Sequence, residues 1–272
     1  MNNIPTASYG ILQEEKPISQ LDEIAEQIRN LGYAVIDSGY SVMELGTISA
    51  EFDRVRQLYI GKFGESTLKN ANEFYTIRSP LTFDSAIFLD LALNKNLLAL
   101  LGKIIAGKYI LNQQNGIINP PQESYNQGLW HRDLPYQHFV SSKPLDVYAL
   151  FCVDDFTIEN GGTFVLPGTH KNETFPSKNY IQKNARQIEA KSGSFIVLDC
   201  MIFHSGGYNK TNSMRRAVNH VFNIPFFKQQ INIPLNMAGR TLSSEDKEIL
   251  GFNYVEPISV LDYLSKREGK KY

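Results

Sequence analysis

The sequence predicts a mainly β fold, an antiparallel sandwich or barrel, preceded by a helical region that packs on one outer face. Up to about residue 108 the chain shows helical periodicity and capping residues. From Tyr109 onward, short runs of β-branched and aromatic residues alternate with Gly, Pro, Asn and Asp clusters. Several short strands after a helical lead-in are typical of this class. Because 42% of the 272 residues are hydrophobic, the chain can form such a core.

The helical lead-in begins with a segment that has a candidate capping residue at each end. Ser19 can cap a helix whose apolar residues recur at helical spacing, and Gly32 stands where a C-cap belongs. Longer stretches with the same periodicity follow. The predicted elements are helices over residues 21–31, 42–62 and 89–105 and a short strand over residues 33–36.

The second half of the chain predicts a series of short strands. They cover residues 109–113, 116–118, 129–132, 145–153, 162–166, 193–198 and 216–223. Since we find no internal repeat and no low-complexity linker, we expect one domain over residues 1–272. Its parts are a helical lead-in over about 1–108, a β core over about 109–225 and a C-terminal extension over 226–272.

Charge and cysteine content exclude several classes of protein. The chain has 27 Lys plus Arg against 28 Asp plus Glu, so nothing draws the whole molecule to nucleic acid. Cys152 and Cys200 are far apart, which favours buried thiols in a reducing compartment. The N-terminal residues are polar where an export signal needs an apolar segment, and no run is long enough to cross a membrane. We therefore expect a cytoplasmic protein without a membrane partner.

Three residues indicate a metal site. His131 and Asp133 form an H-x-D motif, and on an extended strand such residues point to one face, where they can bind one metal ion. An ordinary hydrogen-bonded pair is the alternative. His204, which an apolar segment delivers to a glycine-rich turn, supplies a second imidazole. Two histidines and one carboxylate leave coordination positions open, as in non-haem Fe(II) oxygenases. A zinc hydrolase could use a similar set.

Two adjacent arginines follow this histidine. After a turn over residues 209–213 the chain should return as a strand beside the one that delivers His204, so a fixed cation lies near the metal. Arg215 and Arg216 point to opposite faces of that strand, and spacing alone leaves open which one points inward. A pair of surface arginines is the alternative.

At this point the motifs together resemble those of one family. They are WHRDLPY at residues 130–136, ENGGTFVLPGTHK at residues 159–171, and His204 followed eleven residues later by Arg215. In this order and with these gaps, they resemble the phytanoyl-CoA dioxygenase family of Fe(II)/2-oxoglutarate oxygenases. The resemblance implies a double-stranded β-helix, also called a cupin-like jelly roll, with helices packed on one outer face.

The resemblance also implies roles for individual residues. Iron would be bound by His131, Asp133 and His204, and the eleven-residue offset assigns Arg215 to the distal carboxylate of 2-oxoglutarate.

Two further residues are expected at the cosubstrate. Asn119 matches the position of a cosubstrate-contacting asparagine, and we place Thr163 in the same pocket, with an ordinary strand residue as the alternative. Relatives often have a serine two residues after the distal histidine, where this chain has Gly206.

The expected function is that of an Fe(II)- and 2-oxoglutarate-dependent dioxygenase that uses O2. It would hydroxylate an unactivated carbon of a small, polar metabolite, such as a sugar derivative, amino acid or natural-product intermediate, and release succinate and CO2. Substrate-binding residues are predicted in Tyr136, Gln137 and His138, which follow the ligand pair directly and, with Arg132, would form a polar mouth. The alternative is a non-catalytic or differently metallated jelly roll that binds a sugar or metabolite. We expect a monomer or homodimer.

Overall fold

The computed structural model describes residues 4–134 and 137–268, which contain two antiparallel β-sheets. The strands are β1 Tyr33–Asp37, β2 Thr76–Arg78, β3 Ile110–Asn119, β4 Asp146–Cys152, β5 Phe164–Val165, β6 Arg186–Gln187, β7 Ser194–Asp199, β8 His204–Ser205 and β9 Arg215–Asn223. The larger sheet has six strands in the order β1-β7-β4-β9-β3-β2, and the smaller sheet has three in the order β6-β5-β8. The predicted mainly antiparallel fold is therefore confirmed.

Helices flank the sheets. They are α1 Gln20–Leu31, α2 Val42–Phe63, α3 Glu65–Asn70, α4 Ala86–Ala92, α5 Lys95–Ile104, α6 Lys178–Asn184, α7 Ile233–Asn236, α8 Ser244–Ile249 and α9 Val260–Ser265. Helix α1 starts and ends as predicted, because the Ser19 side chain accepts a hydrogen bond from the backbone N–H of Asp22 and Gly32 adopts φ 84°. No helix among the described residues combines the length and the apolar character that a membrane crossing requires.

Four predicted elements differ from the structure. The helix predicted over residues 89–105 is two helices, because the side chain of Asn94 caps α5 by accepting from the backbone N–H of Leu97. The strands predicted over residues 109–113 and 116–118 are one strand, β3, which contains a bulge. The strand predicted over residues 129–132 is wrong: only His131 forms a bridge, with His204.

Two hydrophobic cores lie on opposite faces of the six-stranded sheet. One core joins the sheet to the helices and includes Phe52, Leu97 and Phe222. The other lies between the two sheets and includes Tyr148 from β4 and Val165 from β5. Alternate residues of each central strand therefore enter different cores. We call these the helix face and the inner face of the sheet. Cys152 and Cys200 are buried free thiols, as predicted.

Candidate metal and cosubstrate site

The backbone places the first and last predicted metal ligands side by side. His131 and His204 form an isolated antiparallel bridge, with N–H to O distances of 3.0 and 3.1 Å in the two directions. The backbone N–H of Asp133 donates to the carbonyl of Cys200 at 3.3 Å, which holds the H-x-D segment against the chain that leads into β8. Residues far apart in sequence are thus fixed at one point.

The three side chains converge at this point. His131, Asp133 and His204 each offer a ligand atom, and these atoms lie within 4.8 Å of one another. The Asp133 carboxylate lies 3.9 Å from His131 Nε2 and 3.5 Å from His204 Nε2. These distances are too long for good hydrogen bonds. Asp133 Oδ2 is buried and makes no hydrogen bond to any described residue. An uncompensated buried carboxylate oxygen is costly, and a bound cation would remove that cost.

Each imidazole is oriented by a hydrogen bond at Nδ1, the ring nitrogen that does not face Asp133. His131 Nδ1 lies 2.7 Å from the carbonyl of Leu129, and His204 Nδ1 lies 3.0 Å from the carbonyl of Ile202. Because a carbonyl only accepts hydrogen bonds, both Nδ1 atoms carry the proton and both Nε2 atoms keep a lone pair. This is how metal-binding histidines are usually positioned. Two imidazoles and one carboxylate fit Fe(II) and leave positions for other ligands.

The pKa values in this cluster shift in different directions. Burial lowers the pKa of His131, and the neighbouring His204 lowers it further. Burial alone would raise the pKa of Asp133, but the two imidazoles outweigh it and keep this pKa below its usual value. For His204, burial acts to lower the pKa, and the Asp133 carboxylate, which is closer to His204 than to His131, raises it overall. Asp133 is therefore held in its charged, ligating form.

The structure resolves which arginine points inward. Arg215 pairs with Asn119 across β9 and β3 and lies on the inner face, 3% exposed. Its guanidinium carbon lies 3.9 Å from the centre of the Phe156 ring, one N–H donates to the carbonyl of Gly161, and Nε donates to no described residue. Arg216 points to the helix face, where it forms ion pairs of 2.7 and 2.8 Å with two aspartates.

The two other predicted cosubstrate residues are also buried. Asn119 Nδ2 donates to the carbonyl of Gly207 at 2.8 Å, whereas its Oδ1 accepts no hydrogen bond from the described chain. Thr163 directly precedes β5, whose residue Val165 pairs with His204. Thr163 itself is 5% exposed, and its backbone carbonyl accepts from the N–H of Ile188 at 2.8 Å.

Comparisons with known proteins identify the family to which this site belongs. The sequence profile of the phytanoyl-CoA dioxygenase family matches residues 28–217. The chain belongs to this family. An uncharacterized protein of Mycobacterium tuberculosis is 29% identical over 219 residues, 79% of each chain. Dioxygenase af480 of Aspergillus fumigatus is 28% identical over 184 residues, 62% of this chain and 56% of its own length.

The fold matches the solved structures of EctD and of the epimerase SnoN. The structure of EctD from S. alaskensis with 2-oxoglutarate and 5-hydroxyectoine matches with a TM-score of 0.65 and 18% identity, covering 89% of this chain and 90% of EctD. The alpha-ketoglutarate-dependent epimerase SnoN matches with a TM-score of 0.59 and 17% identity, covering 82% and 89%. This member of the phytanoyl-CoA dioxygenase family is thus a non-haem oxygenase that uses iron, 2-oxoglutarate and O2.

Of the three predicted substrate-binding residues, the structure describes Gln137 and His138. Tyr136 lies outside the described residues. Gln137 is half-buried, and its Oε1 accepts from the backbone N–H of Arg132 at 3.4 Å, while the side chain of His138 is exposed. The prediction that Arg132 lines a polar mouth is wrong. This side chain is 2% exposed, lies 3.9 Å from the centre of the Phe203 ring and donates to four backbone carbonyls, so it ties the loop to neighbouring turns.

Sequence reasoning missed two features of the site. The first is Tyr125, whose hydroxyl lies beside Arg215. The second is a row of polar residues on the inner face of the sheet, namely Asn115, Asp146, Asn219 and Asn223. The row had a sequence signal, because Arg215, Asn219 and Asn223 recur every four residues in one strand and must share a face. Tyr125 had no such signal, since its contacts lie far away in sequence.

Proposed function

We propose that this enzyme holds Fe(II) with His131, Asp133 and His204 and binds the distal carboxylate of 2-oxoglutarate with Arg215. The observation that carries the proposal is the joint geometry. Three ligand atoms lie within 4.8 Å of one another, and a buried guanidinium with an unengaged Nε points into the same layer between the sheets. We further infer that the two sheets form a jelly roll and that the chain is one catalytic domain.

The protein orients both ends of this site. The carbonyls of Leu129 and Ile202 fix the imidazole planes, so that both Nε2 lone pairs face the metal position. When bound, Fe(II) and 2-oxoglutarate supply the activation of O2, and the overall reaction inserts one oxygen atom into a substrate C–H bond while succinate and CO2 are released.

At the cosubstrate end, the chain provides a preformed anion site. The planar fork of Arg215 matches a carboxylate through two charge-assisted hydrogen bonds, and the ring of Phe156 holds the plane of the guanidinium. Asn119 fixes the backbone of Gly207 beside it, and Thr163 lines the same layer. Because these groups are buried, little reorganisation accompanies binding.

Unpaired polar atoms on the inner face of the sheet favour a polar substrate. Oδ1 of Asn115, Asp146 and Asn223 is buried in each case and accepts no hydrogen bond within residues 4–134 and 137–268. An apolar substrate would leave these oxygens unpaired, at about 1 to 3 kcal/mol each. A substrate with hydroxyl or amine donors would satisfy them. We therefore propose hydroxylation of a small metabolite that carries several hydrogen-bond donors.

Metal content and turnover test the ligand assignment. Protein reconstituted with Fe(II) without oxygen should bind one iron per chain and, once O2 is admitted, form succinate from 2-oxoglutarate. His204→Ala should lose most bound iron and most succinate formation while keeping its thermal unfolding midpoint, because a pocket-lining ligand contributes little to the core. His170→Gln is the matched control, since His170 binds the carbonyl of Arg29 instead. Full iron content in His204→Ala would refute the assignment.

A substrate screen tests the chemical class. Amino acids, sugar derivatives and apolar acids are each added to the Fe(II)-loaded enzyme, and succinate formation and product mass are recorded. Donor-rich compounds should stimulate succinate formation and yield a product heavier by one oxygen atom. An unchanged mass with inverted stereochemistry would show epimerisation in place of hydroxylation. Stimulation by apolar acids alone would contradict the polar substrate.

A further inference from the structure

Gly206 occupies a position where a side chain is excluded for lack of space. It follows His204 by two residues, and its φ lies outside the left-handed region, so the backbone itself does not demand glycine. A Cβ built on Gly206 would lie 2.1 Å from the hydroxyl oxygen of Tyr125 and 2.9 Å from Cζ of that ring. The space that a side chain of residue 206 would take is therefore filled by the Tyr125 hydroxyl.

The backbone holds Tyr125 firmly at this place. The N–H of Gly206 donates to the carbonyl of Gln127 at 2.7 Å, and the N–H of Gly128 donates to the carbonyl of Tyr125 at 3.0 Å. The first bond joins the short turn Asn126–Gly128 to the end of β8, and the second closes the turn itself. Tyr125 also lines a cavity of about 380 Å³, together with Phe74 and Tyr75.

The hydroxyl of Tyr125 lies close enough to the guanidinium of Arg215 for the two groups to interact electrostatically. Arg215 has only donors, so the phenol proton of Tyr125 cannot be donated to it and remains available to another acceptor. Burial raises the pKa of the Tyr125 phenol, so the group keeps that proton at neutral pH. A guanidinium and a phenol O–H side by side form a site for a carboxylate.

We propose that the Tyr125 hydroxyl, admitted by the missing side chain of Gly206, is a second donor beside Arg215 for the distal carboxylate of 2-oxoglutarate. The inference rests on the proposed function, because it concerns the same cosubstrate. Tyr125 and Gly206 together create this second donor. The glycine leaves the space, and the tyrosine brings the donor into it from another segment of the chain.

Binding without turnover tests the proposal. Calorimetry on anaerobic Fe(II)-loaded protein measures the affinity for 2-oxoglutarate and for oxalate, which can bind a metal but has no distal carboxylate. Tyr125→Phe should weaken 2-oxoglutarate binding about 10-fold to 100-fold, the effect of losing a hydrogen bond to a charged group, and leave oxalate binding within about twofold. Tyr75→Phe is the matched control: it removes a phenol from the same cavity, where the hydroxyl donates to Glu123 at 2.8 Å.

A second variant tests the role of the glycine. Gly206→Ala should displace the Tyr125 hydroxyl and weaken 2-oxoglutarate binding by a similar factor, and adding Tyr125→Phe should not weaken it much further, because both changes remove the same contact. Thermal unfolding midpoints establish that the variants are folded. Wild-type affinity for 2-oxoglutarate in Tyr125→Phe, or equal losses for 2-oxoglutarate and oxalate, would overturn the proposal. If the wild-type protein bound oxalate but not 2-oxoglutarate, the proposed function itself would fail.

Discussion

The two faces of strand β9 use polar residues in opposite ways. On the helix face, Arg216 is paired with aspartates, and His220 lies between the side chain of Gln114 and the carbonyl of Ala149. On the inner face, Arg215 keeps an unengaged Nε, and Asn223 keeps an unengaged Oδ1 within the described structure. On the helix face, therefore, the polar atoms form hydrogen bonds or ion pairs with other protein groups. On the inner face, donors and acceptors that face the layer between the sheets remain without a protein partner in the described structure.

This difference separates stability from function along one strand. Buried polar groups normally have partners, and those that lack them indicate a bound ligand or water. Because alternate residues of a strand point to opposite sides, a single strand can serve the helix-side core and the reaction chamber together. Substitutions of polar residues on the helix face should therefore change the free energy of unfolding, and substitutions of polar residues on the inner face should change ligand binding.

The arginine pair gives the largest expected contrast. Arg215→Ala leaves the distal carboxylate of 2-oxoglutarate unpaired and should cost about 2 to 5 kcal/mol, roughly 30-fold to several thousandfold in affinity measured by calorimetry. Arg216→Ala should leave this affinity within about threefold and instead lower the free energy of unfolding by about 1 to 3 kcal/mol, because Asp154 loses the guanidinium and keeps only the backbone N–H of residue 216. Equal effects of the two substitutions on 2-oxoglutarate affinity would remove the distinction between the faces.

The helix face also predicts a pH dependence of stability. Burial lowers the pKa of His220 to about 4, below the ordinary value of 6.5. The unfolded chain therefore binds this proton more readily than the folded one, and stability falls as the pH drops from 6.5 towards 4. Between pH 7 and pH 5 the loss from this residue should be about 2 kcal/mol. Urea unfolding of wild type and His220→Gln at both pH values measures it. A difference between the two proteins that does not change with pH would contradict the shift.

How much the sequence could predict depends on the range of the interactions involved. Helix α1 was predictable because Ser19 and Gly32 act on their own neighbours. The choice between Arg215 and Arg216 was open from spacing alone, because it depends on the pairing of β9 with β3. Motif order was enough to infer that His131 and His204 converge. It did not reveal that a single β-bridge between these two residues brings them together. Tyr125 escaped prediction because only the folded chain brings it to Gly206 and Arg215.

A smaller effect is expected at the polar row of the inner face. Asn223→Ala removes a buried oxygen that accepts nothing in the described structure, so the unfolding free energy should change by less than the Arg216→Ala effect. Once a substrate is known, its KM should rise about 5-fold to 100-fold, as for the loss of one hydrogen bond. Steady-state kinetics provide the measurement. On the helix face of the same strand, Val218→Ala serves as the control and should cost stability while leaving KM unchanged.

The smallest expected effects lie in the loop after the H-x-D motif, outside both faces of the sheet. Gln137 and His138 follow Asp133 by four and five residues, so they remain near the metal position. The hydrogen bond from the backbone of Arg132 to Gln137 Oε1 is long, at 3.4 Å, and truncating this side chain should hardly affect folding. We expect Gln137→Ala and His138→Ala to increase the succinate formed per product molecule by a few-fold, because a less firmly oriented substrate misses the reaction more often.

Succinate formation without substrate should stay at the wild-type rate, since neither residue belongs to the proposed metal or cosubstrate site. The ratio of succinate to product, measured in both variants and in wild type, decides the question. Unchanged ratios would place substrate orientation on the inner face of the sheet alone.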